Sequence, residues 1–281
     1  MEILRKSLRE LGWIEGQNVI IVYRTTEGDP GRLPALAADL FRSKVDVIVA
    51  PSTPVALAAK SATTSIPIVF SMVSDPVASG LVASLARPGG NVTGWSNILP
   101  ETSGKLLSLL KELLPTASRV MVLFDANNPG KALDLKEIQA AARELGITVQ
   151  LVALRTAKDI GAAFASLGRE RPDALLTLVD AVTLSNREEI VRLAAASRVP
   201  DLYQVRDFAE AGGLLSYGLN FEGQSERTAI YVDRILKGAK PGDLPVEQPT
   251  KFELAVNMKT AKVLGLKIPR SILLRAERVI E

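Results

Sequence analysis

The chain has no cysteine and no histidine among its 281 residues. Without thiols there is no disulfide, no thiolate nucleophile and no sulfur-ligated zinc, and without imidazole the commonest general base near neutral pH is missing. The lack of cysteine suits an exported protein and a cytosolic one equally, so it fixes no compartment. Neither sign of charge dominates: 34 basic residues stand against 31 acidic ones, spread along the whole sequence. No basic patch results, and nucleic acid is not an expected partner. No apolar run reaches the roughly 20 residues that cross a bilayer. The opening MEILRKSLRELG is amphipathic and lacks the hydrophobic core and small-residue cleavage site of a signal peptide, so as written the chain carries no export address. The motifs G-x-S-x-G, G-x-x-x-x-G-K and G-x-G-x-x-G are also absent, and the glycine pairs at 89–90 and 212–213 read as turns.

What is present is an apolar content of 47%, ample for the cores of two compact units. Short runs rich in Val, Ile and Leu alternate with amphipathic stretches. The runs NVIIVYR (18–24), VDVIVA (45–50), PIVFSM (67–72), RVMVLFD (119–125), TVQLVAL (148–154), ALLTLV (174–179) and GLLSYG (213–218) read as strands. Between them fall helices with evident boundary chemistry: Leu8 and Leu11 face inward before Gly12 ends one, and Thr53 with Pro54 starts another. Such alternation predicts an α/β fold of parallel sheets covered on both faces.

The sequence repeats itself. Arg9-Glu10-Leu11-Gly12 and Arg143-Glu144-Leu145-Gly146 each close a helix that leads to a strand. A helix follows, then Asp46 or Asp173 opening an apolar strand, a polar turn, another helix, and an Ile66-Pro67 or Val199-Pro200 step into the next strand. Two similar lobes are expected. In the second copy the helix is preceded by RVMVLFD and the loop ANNPGK, whereas the first copy begins inside its helix, so the opening strand of lobe 1 is expected to be missing.

In open parallel sheets ligands bind where strand ends run into helix N-termini. Pro51-Ser52-Thr53-Pro54 occupies such a place, and its amides and hydroxyls suit a carboxylate; Thr53 also suits a plain helix cap. Ser71, Ser74 and Asp75 end the next strand, which runs into a second Pro-started helix. In the second lobe the matching ends carry Asn127, Asn128 and Asp180, the last a candidate partner for an ammonium group or a helix cap. With aromatics only 5% of the chain, Tyr203 and Tyr217 are candidate wall residues, with core packing as their ordinary alternative. Trp95 reads as a linker or hinge-side packing residue.

Taken together, LRELGWIEGQNVIIVYR, RLPALAADLFRSKVDVIVAPSTPVALAAK, IPIVFSMVSDPVASGLVASLARPGGNVTG, GGLLSYGLNFE, ILKGAKPGDLPVEQPTKFELAVNMKTAKVLGLKIP and AERVIE resemble the ABC-transporter substrate-binding proteins of the tryptophan/tyrosine type, in order and over nearly the whole chain. The resemblance implies the type I periplasmic-binding-protein fold: two doubly wound lobes joined by a hinge, with lobe 1 at 1–97 and 219–243 and lobe 2 at 98–218 and 244–281. Crossings are expected near 93–98, 217–220 and 245–249. It further implies a non-enzymatic, periplasmic or membrane-anchored extracytoplasmic protein that traps a small amino-acid-like ligand between its lobes and delivers it to ABC permease subunits, with no cofactor and no metal. Its cleft would fall on Ser52, Thr53, Ser74, Asp75, Asn127 and Asn128, on Asp180, and near Tyr203 and Tyr217. Family members begin with a signal sequence, then a strand and loop, and this sequence shows neither. The alternatives are a ligand-sensing regulatory module of the same fold, which would need a DNA-binding helical segment ahead of the first lobe, and an enzyme using carboxylates or serine alone.

Overall fold

Seven-residue runs such as RVMVLFD are too short for a stable helix and too apolar for a loop, so they settle as strands once neighbouring strands satisfy their amides. The computed structural model describes residues 2–96, 100–168, 171–219, 223–248 and 251–281. In chain order the elements are α1 (Glu2–Glu10), α2 (Leu33–Arg42), β1 (Ile48–Ala50), α3 (Thr53–Ala62), β2 (Ile68–Val73) and β3 (Val92–Ser96). There follow α4 (Pro100–Leu113), β4 (Arg119–Asp125), α5 (Lys131–Leu145), β5 (Thr148–Leu154), α6 (Lys158–Ala165) and β6 (Ala174–Thr177). The chain continues through α7 (Ala181–Ser185), α8 (Arg187–Ser197), β7 (Asp201–Tyr203), α9 (Arg206–Glu210) and β8 (Leu215–Leu219). It ends with α10 (Gln224–Leu236), β9 (Phe252–Asn257), α11 (Met258–Leu264), α12 (Arg270–Leu273) and β10 (Arg278–Ile280).

The chain divides into two compact units, residues 1–98 with 221–249 and residues 99–220 with 250–281. In unit 1 the described strands run β1-β2-β3, all parallel. Ile68 and Phe70 of β2 pack with Ile48, Ala56 and Ala59 on one face, and Val69 packs with Leu8, Ala229 and Tyr231 on the other. Gly94 lets β3 lie close to β2: its φ is +149°, and a Cβ there would meet the Phe70 carbonyl oxygen at 2.1 Å. In unit 2 the order is β10-β9-β8-β7-β6-β4-β5. Val120 and Val122 of β4 join a core with Leu106 and Leu110 of α4 and Ile138 of α5, while Met121 and Leu123, pointing the other way, are equally buried. Each such leucine stabilises the fold by about 2 kcal/mol.

Several expectations need correcting. Residues 18–24 form no strand: Ile20 is 84% exposed and Tyr23 58%. A strand needs a neighbour along its length, and among the described residues this run makes only an isolated bridge, between Val19 and Glu15. Leu11 lies at the surface, past the buried turn of α1 that holds Leu8. Residues 76–80 are a run of turns and not a helix. The larger sheet is not wholly parallel, because β9 pairs antiparallel with β8. The stretch 244–247, expected in lobe 2, belongs to unit 1: Thr93 Oγ1 donates to the Leu244 carbonyl at 2.6 Å, and the Glu247 amide to the Gly94 carbonyl at 3.1 Å. Trp95 is no linker residue; it sits buried within β3. Of the expected crossings, residues 97–98, 220 and 249 lie outside the described residues.

Candidate functional site

Both units place their polar residues where strands end. In unit 1, β1 stops at Ala50 and the chain turns through Pro51 into α3. The cap is Ser52, not Thr53: Ser52 is extended (φ −159°, ψ 166°), and its carbonyl accepts the first helical bond, from the Ala56 amide at 2.9 Å. The Ser52 side chain makes no capping bond. Thr53 is 0% exposed, and its hydroxyl has no hydrogen-bond partner. Thus α3 presents unsatisfied first-turn amides with two uncommitted hydroxyls beside them, at the positive end of its dipole.

Next to this turn β2 carries an extra residue. Phe70 pairs with Gly94 and Val73 with Ser96, so Ser71 and Met72 together oppose Trp95. Bulges of this kind re-aim side chains next to functional sites. Gln224, the first residue of α10, donates through Nε2 to the Ser71 carbonyl, a contact that no local sequence pattern announces. Ser74 follows, buried, and Asp75 spends one carboxylate oxygen on the amides of Val77 and Ala78, at 3.2 and 2.9 Å.

The strand ends of unit 2 are more heavily self-bonded. Asp125 closes β4 and accepts from the amide and the side chain of Asn127, at 2.8 and 3.0 Å, while Asn127 also donates to the Arg155 carbonyl. Burial pushes the Asp125 carboxyl up, against the pull of those bonds. Asn128 Nδ2 donates to Asp180 Oδ1 at 2.8 Å. Asp180, the N-cap of α7, is 4% exposed, and its amide donates to Thr183 Oγ1. Its second oxygen lies 3.7 Å from Lys131 Nζ. Burial raises the Asp180 carboxyl to about 6, with Lys131 and Asn128 holding it down from a still higher value. The acid expected to await an ammonium ligand is already matched by an internal one.

Lys131 itself, 3% exposed, also contacts Asp134 Oδ2 at 3.1 Å. Burial pulls its pKa down, but the Asp134 and Asp180 carboxylates outweigh that and leave it raised. Asp134 accepts in turn from Ser103 Oγ, to which Gln204 Nε2 donates at 3.0 Å, and Gln204 Oε1 receives the Val179 amide. Sequence reading missed Lys131, Asp134 and Gln204, although a lysine in the first turn of a helix, opposed to the helix dipole, was a visible signal.

The two tyrosines separate. Tyr203 belongs to the interior and not to a wall: it is 0% exposed, its hydroxyl donates to Asp201 Oδ2 at 2.6 Å, and its ring stacks on Phe208 at 4.4 Å. Tyr217 is half-buried and stacks with Phe252 at 6.0 Å. Near these strand ends the hydroxyls of Thr177 and Ser216 are buried without a hydrogen-bond partner. Among the described residues, no cluster of carboxylates could hold a metal ion, and no helix is long and apolar enough to cross a membrane.

The chain matches the model of a family described as ABC transporter substrate binding protein over residues 2–280. It is 29% identical over 262 residues to a tyrosine-binding protein of Clostridioides difficile, covering 93% of this chain and 75% of the other. A crystal structure of a conserved domain protein from Vibrio cholerae superposes with a TM-score of 0.90 at 32% identity, covering 99% and 93% of the two chains. An ABC domain from Streptococcus pneumonia in complex with L-Trp gives 0.89 at 27%, covering 99% and 95%.

Proposed function

Because the chain belongs to the ABC transporter substrate-binding protein family, we propose that it captures a small aromatic amino acid outside the cytoplasm and hands it unchanged to the permease subunits of an importer. The carrier role is supported by the family description, which is one of substrate binding, and by a relative of the same fold solved with an amino acid bound. The observation that carries the reading is the start of α3. Its free amides, the Ser52 hydroxyl without a capping bond and the buried, unpartnered Thr53 hydroxyl suit an α-carboxylate. Ser71 and Ser74, on and just past the bulged end of β2, extend that polar surface. Asp75 keeps one carboxylate oxygen free of the turn it caps, and offers it to an ammonium group.

In unit 2 we assign Asn127 and Tyr217 to ligand contact, Tyr217 with an aromatic face for a ring. Asn128, Asp180 and Tyr203 act behind them as fixed supports, each already hydrogen-bonded to a named residue. One similar protein is named for tyrosine binding and another was solved in complex with L-Trp, which supports the choice of ligand class.

Calorimetric titration with the twenty amino acids tests the proposal. Heat is expected for L-tyrosine, L-tryptophan or L-phenylalanine and not for charged amino acids, with the ligand recovered chemically unchanged by mass spectrometry. Silence for all aromatic amino acids overturns the ligand class, and turnover of the ligand overturns the carrier role.

A further inference from the structure

The near balance of charge over the whole chain, from which no basic patch was expected, conceals one uneven stretch. Residues 258–281 hold six of the 34 basic residues, namely Lys259, Lys262, Lys267, Arg270, Arg275 and Arg278, and two of the 31 acidic ones, Glu277 and Glu281. That surplus exceeds the net +3 of the entire chain, so the remainder is close to neutral. All six cations are exposed, and among the described residues Arg275 alone has an ion-pair partner, Glu112 of α4. Glu277 is committed elsewhere: its Oε2 accepts the Leu254 amide at 2.7 Å. Lys105, exposed on α4, places one more positive charge near Glu112.

The fold brings these charges to one edge of unit 2. Ala261 of α11, Ile272 of α12 and Ile268 between them turn inward, into the core that α4 also lines. β10 is the outermost strand on that side of the sheet and pairs with β9. The outward positions are therefore left to cations and to three apolar side chains: Leu274 is 75% exposed, Val263 64% and Val279 40%. Leu274 and Val263 are the two most exposed large apolar side chains described in unit 2. One exposed leucine is ordinary. Leucine and valine set among unpaired cations on one short stretch mark a contact surface.

We propose that the outer surface of α11, α12 and β10 docks on an anionic lipid surface, with its lysines and arginines over the headgroup phosphates and Leu274 and Val263 entering the boundary between headgroups and acyl chains. Charge complementarity favours this occupant. Basic side chains beside an anionic bilayer each add to binding, and their long stems let the charge stay at phosphate level while neighbouring apolar groups sink. A protein partner fits less well, because the centres of protein interfaces are poor in lysine and rich in aromatic residues, whereas residues 258–281 contain three lysines and no aromatic side chain. Such a contact lies on the bilayer surface and weakens with salt. It belongs to unit 2 alone and stands apart from the ligand.

Co-sedimentation with vesicles tests the inference, comparing phosphatidylcholine alone with phosphatidylcholine containing one-third phosphatidylglycerol. The protein is expected to favour the anionic vesicles by about tenfold or more at low salt, and to lose that preference as salt is raised. Lys259→Glu with Lys262→Glu should remove most of the preference. Lys136→Glu with Lys158→Glu makes the same charge change at exposed positions of α5 and α6 and should leave most of it. Leu274→Ser should weaken vesicle binding severalfold without altering its dependence on salt. No preference for the anionic vesicles, or an equal loss in the two charge variants, overturns the proposal. Binding to soluble heparin as tight as to the vesicles, with no effect of Leu274→Ser on either, makes this a general polyanion surface and overturns the lipid assignment.

Discussion

Lys131 Nζ lies 3.1 Å from Asp134 Oδ2, and both side chains are closed off from solvent. With Asp180 on its other side, one buried ammonium balances two buried carboxylates. Replacing Lys131 by Met keeps the volume and strands both acids. A loss of about 3–5 kcal/mol in urea unfolding at pH 8 is expected, the size seen when one partner of a buried pair is removed. The deficit should shrink at pH 5, where Asp180 takes up a proton. A loss below about 1 kcal/mol at pH 8 would mean that the lysine is not the compensating charge.

Asp201 has no cation to lean on. Burial lifts its carboxyl to about 6 from an ordinary 3.8, against the pull of the Tyr203 hydroxyl and the Leu214 amide. The unfolded chain therefore gives up this proton at lower pH than the folded one. Between pH 4 and 6 the folded state holds the extra proton, so this group's contribution falls as pH rises through that window, by about 3 kcal/mol in all, and is level above it. Asp180 adds a slope of the same sign. Asp201→Asn should flatten the dependence of unfolding free energy on pH between 4 and 6 without abolishing it; an unchanged slope would show that Asp201 does not titrate there.

Gly218 in β8 has no room for a side chain, because a Cβ would lie 1.8 Å from the Gln204 carbonyl oxygen. Gln204 in turn joins the Val179 amide to Ser103, so the strain would spread into the polar belt at the ends of β6 and β7. Gly218→Ala is expected to destabilise by about 3 kcal/mol, at the upper end of overpacking effects. Gly161→Ala, in a helix with open space at that position, serves as the control and should be neutral or stabilising. Equal effects of the two changes would argue against the close approach.

How much of this was legible depends on how local each signal is. RVMVLFD and TVQLVAL form strands at the residues their patterns mark, because each is flanked by turn chemistry and finds its partner close in sequence. NVIIVYR carries an equally good pattern and forms none, since a strand exists only beside another and pattern says nothing of the neighbour. The run FELAVN of β9 went unread for the converse reason: it pairs antiparallel with β8 across a long separation. The polar strand ends were visible as residue types, and their commitments were not. Nothing local tells that Asp180 is matched by Lys131, or that Ser52 and not Thr53 is the cap. The Asp201 to Tyr203 bond also went unread, although residues two apart on a strand share a face and the spacing was a visible signal.

Ser52 separates stability from binding better than any other residue of the candidate site. Its hydroxyl makes no capping bond, so Ser52→Ala removes no internal interaction and should change unfolding free energy by less than about 1 kcal/mol, the ordinary value of a lost cap. If the hydroxyl donates to a ligand carboxylate, the same change removes a charge-assisted bond worth about 1.5–3 kcal/mol, and affinity for an aromatic amino acid should fall by about tenfold to a hundredfold. Thr53→Val probes the neighbouring hydroxyl at nearly constant volume. Because that hydroxyl is buried without a partner, the unliganded protein should become slightly more stable while its affinity drops. Calorimetry and urea unfolding on the two variants together decide the matter: parallel losses in stability and affinity would make the turn a structural cap, whereas weakened binding on an intact fold makes it the seat of the ligand's carboxylate.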